Sequence, residues 1–431
     1  MRQIYSGVDK HCMNSSSPLA FLPVACCLPT AALRAQKVFT APKASRHTPT
    51  RMRLSATAAF SAVLALAACQ TGPAGAGDDD AFAGDTVVLP LPTTDIVTPP
   101  PPPPTPEEPV IPDDPEVQAP PTGPTYAACF SDISSESGQA PDYDQFGPTV
   151  GSHCSGTNHQ DIRGIERVVF LGDSVTVGTP PTVASETYRS RLAALLAAHF
   201  HIEAPSAIWE RFNLTEGTAL MQQSGAFWSC ARWGARNDDL NEDNSQIDDC
   251  FPASERGKKT LVIITMGGND IADFTKDGLE GKPLDEIRAD VERAAALLDQ
   301  GIHRLKNRAL FPAGNDVIFA NPPEFTDGTG DVGSCPSASI AGYDRNWDDP
   351  QAQATLVVYL LEQYMRVAVE TGSDLVFFLE NFCGHGYHNT DADAACYRGP
   401  DTERWFDLTC THPNPTGHRE LAQMFFNIVL E

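Results

Sequence analysis

Basic side chains are scarce in this sequence. Its 431 residues include 30 Lys and Arg against 56 Asp and Glu, a formal charge of −26. Such an acidic balance argues against nucleic acid and anionic membrane surfaces as electrostatic partners. No CxxC pair with zinc spacing and no EF-hand-like loop is present, so neither a closed zinc site nor a helix–loop–helix calcium site is expected. There is no internal repeat, which excludes solenoids and propellers. The GxSxG turn of strained nucleophile elbows is missing as well.

The apolar stretch behind Arg53 is too short to span a bilayer. From Met52 the chain reads MRLSATAAFSAVLALAAC: a charged start, a short apolar core and small residues before a cysteine. These are the parts of an export signal. The segment resembles bacterial lipoprotein signals, whose final cysteine, here Cys69, is lipidated and becomes the first residue. That resemblance implies an exported, lipid-anchored protein, held to a membrane by acyl chains. Gln70 stands where an Asp would favour inner-membrane retention, so the expected location is the outer membrane or cell surface of a Gram-negative bacterium.

Four segments follow. Residues 1–51 show no periodicity and are read as a gene-model extension or removed segment, with Met52 as the start; 52–68 are the lipoprotein signal. Residues 69–125 are the lipidated cysteine and a linker. Fifteen of the 36 prolines fall between Pro90 and Pro124, which favours an extended, semi-rigid spacer over helix or sheet. Residues 1–68 hold 8 of the basic side chains and 1 of the acidic ones, so the chain from Cys69 carries 22 basic against 55 acidic residues, a charge of −33.

Residues 126–431 are long enough for one large domain with a substantial core. Their eight cysteines, an even number in an exported chain, predict disulfides. Near-neighbour pairing would give 129–154, 230–250, 335–383 and 396–410. Short continuous apolar runs predict strands buried on both faces at 167–171, 207–212, 260–266, 316–320 and 374–379. Helical spacing covers 186–200, 284–306, 351–370 and 416–430. The alternation predicts a three-layer α/β/α sandwich with about five mainly parallel strands.

Three strand ends carry unusual chemistry: Gly172-Asp173-Ser174, Gly267-Gly268-Asn269-Asp270, and the loop Thr411-His412-Pro413-Asn414 before the last helix. A serine needs a neighbouring base to become a nucleophile, and a tetrahedral intermediate needs donors aimed at its oxyanion. His412 is the candidate base and Asn269 a candidate donor.

On these motifs the chain resembles the SGNH, or GDSL-type, hydrolases, a superfamily of esterases, lipases and carbohydrate deacetylases. Gly172-Asp173-Ser174 matches its first block, Gly267-Gly268-Asn269-Asp270 its GxND block, and His412 the histidine of its DxxH block. The segment CARWGARNDDL resembles the glycine block loosely; it points to Gly234, with Gly225 a weaker candidate. The resemblance covers about 165–431 and implies Ser174 as nucleophile, His412 as base, and Ser174, Gly234 and Asn269 as oxyanion donors, with no cofactor. One position departs from the pattern: three residues before His412 stands Thr409, not Asp. Asp407 is taken as the catalytic acid, a backbone carbonyl or an acid from elsewhere being the alternatives. Asp173 is read as a turn former rather than a base.

His385, His388, Asp391 and Asp393 lie close in sequence but match no closed metal pattern, and read as a disulfide-tied polar loop. Phe227, Trp228 and Trp233 line either a pocket or the core. Residues 321–350, too long for an ordinary loop, read as a substrate-contacting rim. The expected activity is cleavage of carboxylic acyl esters through an acyl-enzyme, falling as His412 protonates on the acid side. O-acetylated polysaccharide is the alternative substrate. The missing Asp keeps open a third possibility, a non-catalytic cell-surface binding lipoprotein.

Overall fold

The computed structural model describes residues 123–134, 140–241, 245–341 and 345–431. The signal segment, Cys69 and the Pro-rich linker lie outside the described residues.

Six strands form one sheet: β1 (Arg167–Gly172), β2 (Gln223–Ser224), β3 (Phe227–Ser229), β4 (Thr260–Thr265), β5 (Asn315–Ala320) and β6 (Asp374–Val376), in the order β2-β3-β1-β4-β5-β6. All pairs are parallel except the short edge pair β2–β3. The main helices are α1 (Tyr188–Phe200), α2 (Gly268–Leu279), α3 (Leu284–Lys306), α4 (Pro350–Thr371) and α5 (Pro415–Leu430).

Successive strand residues point to opposite faces, and both faces are covered. Val168, Phe170, Leu261 and Ile263 pack with Leu192 and Leu196 of α1 and Leu421 and Phe425 of α5. Val169, Leu171, Val262 and Ile264 pack with Val291 and Leu298 of α3 and Leu360 and Tyr364 of α4. This is the α/β/α sandwich expected from the apolar runs. Each fully buried Leu or Val on these faces contributes roughly 1.5–3 kcal/mol. Helix ends follow local chemistry. Asp285 and Glu286 open α3 while His303, Arg304 and Lys306 close it, in line with the helix dipole. Asp349 caps α4 ahead of Pro350, and Gly372 ends it in a left-handed conformation.

The structure differs from expectation in four places. The strand expected at 207–212 is a helical turn, Ala207–Glu210, followed by a two-residue strand. In that run only Trp209 is buried, against Phe170 and Phe227, while Ile208 is half exposed. Its place beside β1 is taken by β3. Strand β6 stops at Val376, and Phe378–Phe382 turns into a helix. Helix α2 begins inside the Gly-Gly-Asn-Asp motif itself. The disulfides Cys129–Cys154 and Cys230–Cys250 form as expected, but the other four cysteines pair as Cys335–Cys410 and Cys383–Cys396. Cys383 and Cys396 close their own loop, which leaves the buried Cys410 facing the segment after β5.

Candidate active site

Strand β1 delivers Ser174 through a backbone that only glycine fits. Gly172 has φ +141°, and a Cβ there would lie 2.3 Å from the Thr265 carbonyl oxygen of β4. The side-chain amide of Gln246 holds this residue on both sides. Its Oε1 accepts from the Gly172 N–H at 2.7 Å, and its Nε2 donates to the Gly172 carbonyl at 2.9 Å. Asp173 then caps a single helical turn, Ser174–Val177, accepting from the Val175 N–H at 2.9 Å. Asp173 therefore shapes the turn, as expected. Below it, Thr176 Oγ1 bonds to the Tyr188 hydroxyl at 2.7 Å and to Thr265 Oγ1.

The two strands flanking β1 bring up the other motif residues. After β4, Gly267 takes φ +110°, where a Cβ would meet the Tyr364 hydroxyl at 2.1 Å. Asn269 follows in the first turn of α2 and donates from Nδ2 to the Ala235 carbonyl at 2.9 Å. After β3, the Arg232 N–H donates to the Gly172 carbonyl at 3.0 Å, and Gly234 turns at φ +75° with open space where a side chain would be. The backbone N–H groups of Ser174 and Gly234 have no acceptor among the described residues. Ser174, Gly234 and Asn269 thus gather at the carboxyl ends of adjacent strands, where the strand order reverses and α/β sheets open a crevice. Gly225 is excluded from this group, because it sits in the β2–β3 turn at the opposite end of β3.

The third motif arrives on the loop before α5. Asn414 caps that helix by accepting from Gly417 N–H at 2.9 Å, and Pro415 occupies its first turn. The loop is closed by the Asp407 N–H donating to the His412 carbonyl at 2.9 Å, and by the Tyr387 hydroxyl donating to the Asp407 carbonyl at 2.6 Å. Its ring is placed so that His412 Nε2 lies 2.7 Å from Ser174 Oγ. Nδ1 lies 2.6 Å from Thr409 Oγ1, and Thr409 Oγ1 lies 2.5 Å from Asp407 Oδ1. The Asp407 carboxylate makes no direct contact with the ring. The expected acid–histidine contact is replaced by a hydroxyl standing between them. Thr409, flagged in the sequence only as a departure, is the residue that sequence reasoning undervalued.

Burial sets the electrostatics. His412 is 7% exposed, and loss of solvent lowers its pKa to about 4. The neighbouring His418 of α5 accepts from the Tyr188 N–H at 3.1 Å, and burial lowers it further, to about 3. Burial pushes Asp407 up to about 6 against the pull of its bonds from Thr409, and pushes Asp173 up to about 7. A neutral imidazole nitrogen 2.7 Å from a serine hydroxyl can deprotonate that serine, and the backbone N–H groups of Ser174 and Gly234 and the second amide hydrogen of Asn269 are left to serve an oxyanion.

Other residues singled out in the sequence resolve variously. Phe227 and Trp228 are buried in the two cores. Trp233 stays at the rim, donating from Nε1 to the Gly178 carbonyl at 3.0 Å. The His385 ring stacks on Trp405 at 3.4 Å. His388 sits between Asp331 at 3.2 Å and Asp391 at 3.4 Å. Among the described residues no three His, Cys, Asp or Glu converge on a metal position. The segment after β5 reaches the site through Cys335, and Asp327 within it accepts from the N–H groups of Gly384, Gly386 and His388. No helix of the described residues is long and apolar enough to cross a membrane.

The profile of the GDSL-like lipase/acylhydrolase family matches residues 168–425, more than half the chain and every motif residue above. The protein belongs to this family and is an ester-hydrolysing enzyme. That excludes the binding-only possibility. Solved structures of similar fold include an extracellular lipase from Streptomyces rimosus, with 18% identity over 61% of this chain and 99% of that one, at a TM-score of 0.38. A phospholipase A1 from Streptomyces albidoflavus has 20% identity over 62% and 98%, TM-score 0.36. A carbohydrate acetylesterase from Sinorhizobium meliloti has 15% identity over 62% and 99%, TM-score 0.35. Likenesses this remote carry no inference about substrate. No curated protein matches the chain.

Proposed function

We propose that the protein is a serine esterase cleaving carboxylic acyl esters through an acyl-enzyme on Ser174. The observation that carries this reading is the 2.7 Å approach of His412 Nε2 to Ser174 Oγ. His412 takes the Ser174 proton as Oγ bonds to the ester carbonyl carbon. The resulting oxyanion receives the N–H groups of Ser174 and Gly234 and the free amide hydrogen of Asn269. Collapse expels the alcohol, which takes the proton from His412. A water then repeats the sequence: His412 removes its proton, it adds to the acyl carbonyl, and Ser174 leaves reprotonated with a carboxylic acid as product.

Trp233 at the rim, beside Gly234 and with the Phe212 ring 6.4 Å away, offers an apolar wall to an acyl or alkyl group. That favours simple acyl esters, of lipids or short chains, over O-acetylated polysaccharide. The signal-like segment ending at Cys69 supports an exported enzyme anchored by lipid at the outer membrane or cell surface, and the Pro-rich linker suits a stalk. The test is hydrolysis of p-nitrophenyl acetate, butyrate and palmitate by the full-length protein beside Ser174→Ala and His412→Ala, with fluorophosphonate labelling of Ser174. Loss of both turnover and labelling in the variants is expected. Turnover by Ser174→Ala would overturn the mechanism, and activity confined to acetylated glycans would replace the substrate. Mass spectrometry of the membrane-extracted protein tests the diacylated Cys69; an unmodified Cys69 would refute the anchor.

A further inference from the structure

We infer that Thr409 is a positioning residue which transmits the Asp407 charge to His412 and thereby selects the imidazole tautomer that can act on Ser174. The inference deepens the serine-esterase reading and rests on it.

A threonine hydroxyl has one proton to give and lone pairs to accept with. Asp407 lies 2.5 Å from Oγ1 and, when ionised, can only accept. The hydroxyl proton is therefore committed to Asp407, and at 2.6 Å from His412 Nδ1 the oxygen is left able only to accept. Nδ1 must then carry the ring proton, which leaves Nε2 with its lone pair facing Ser174 Oγ. With a neutral partner in place of Asp407 the constraint disappears. The hydroxyl could donate to Nδ1, putting the proton on Nε2, where it cannot accept from serine. Thr409 is also held in place by the acid it serves, since its own N–H donates to Asp407 Oδ1 at 2.7 Å. The second carboxylate oxygen, Oδ2, is buried with no partner among the described residues. Among the described residues Thr409 alone donates to the Asp407 carboxylate, and its hydroxyl links that carboxylate to the ring.

The test uses the full-length protein with Thr409→Val, Thr409→Ser, Asp407→Asn and the double variant Asp407→Asn/Thr409→Asp. Thr409→Val keeps shape and loses the hydroxyl; it should lower kcat by about 10²–10⁴-fold with KM little changed, the scale of a mis-set histidine tautomer. Thr409→Ser should recover the rate to within about tenfold. In the double variant the carboxylate sits three residues before His412, and activity should return despite the loss of Asp407. Nitrogen-15 shifts of the His412 ring, assigned by comparison with His412→Gln, read the tautomer whether or not any ester is turned over. Nδ1–H should dominate in wild type and Thr409→Ser, and Nε2–H should rise in Thr409→Val and Asp407→Asn. An unchanged tautomer and kcat in Thr409→Val would overturn the inference, as would a double variant no faster than Asp407→Asn. A wild type that shows Nδ1–H yet hydrolyses no ester would leave the relay standing and refute the esterase mechanism instead. Thermal melts identify any variant that fails to fold, in which case Thr409→Ser and the double variant decide.

Discussion

Cys335 is bonded to Cys410, two residues ahead of His412 and 75 residues away in sequence. The bond fastens the histidine loop to the segment following β5, on the far side of β4 from Ser174. Both sulfurs are buried. On a chain-entropy basis a loop of that length contributes about 4 kcal/mol, against about 3 for the 13-residue Cys383–Cys396 loop. Cys335→Ser/Cys410→Ser should lower the melting temperature and also the turnover of the molecules that remain folded. Cys383→Ser/Cys396→Ser should act mainly on stability. Melting curves paired with turnover below the transition check this, and equal rate losses in the two double variants would contradict it.

The pH dependence should have two steps on the acid side. Burial favours the neutral form of each group, raising the acid and lowering the base. Asp407, at about 6, takes a proton first as pH falls. That frees its hold on the Thr409 hydroxyl, and the rate should drop in part. His412, at about 4, protonates next and removes the base altogether. The groups facing this pair are His418 on α5, lower still at about 3, and Tyr387, whose hydroxyl donates to the Asp407 carbonyl and whose ring carries the Arg404 guanidinium. The acid limb therefore lies lower than an ordinary histidine would place it. A kcat/KM profile should lose its upper step in Asp407→Asn. A single step near 6.5 in wild type would refute the assignment.

Gln246 is fully buried and occupies both backbone groups of Gly172. Gln246→Leu leaves a buried N–H without its acceptor, which costs about 1–3 kcal/mol. Because Gly172 is two residues before Ser174, kcat should fall along with the denaturant midpoint, although Gln246 touches no substrate. Urea unfolding and turnover measured together test this. Loss of stability with full kcat would show that the clamp serves the fold alone.

The strands β1, β4 and β5 and the helices α3 and α4 were legible within a residue or two. Continuous apolar runs and long helical repeats have few other solutions in a chain of this size. β3 was not, because Phe227-Trp228-Ser229 is too short to show a period and gains its place only by pairing with β1. The Ser174, Asn269 and His412 loops were legible as motifs, each at a strand end or helix start. What local sequence could not supply was the orientation of side chains across the loop 406–413. Thr409 and Asp407 differ by two positions, and which of them faces the ring depends on the turn made by Cys410 at φ +73° and on its distant partner. The same long-range bond exchanged the expected pairing of the last four cysteines.

Asn269 gives the sharpest test of the proposed oxyanion arrangement. One hydrogen of its amide is spent on the Ala235 carbonyl, which ties it to the loop carrying Gly234. The other is free to meet charge that develops only in the transition state. Removing such a donor costs about 10²–10³-fold in kcat. Asn269→Ala should show that loss with KM changed little, because the ground-state carbonyl needs the bond less than the oxyanion does. Asn269→Asp should be at least as slow, since a carboxylate would present negative charge to the oxyanion. Steady-state kinetics on p-nitrophenyl butyrate distinguish the possibilities. A rise in KM at constant kcat would mean that Asn269 binds the substrate rather than the transition state, and would leave the oxyanion to the backbone N–H groups of Ser174 and Gly234.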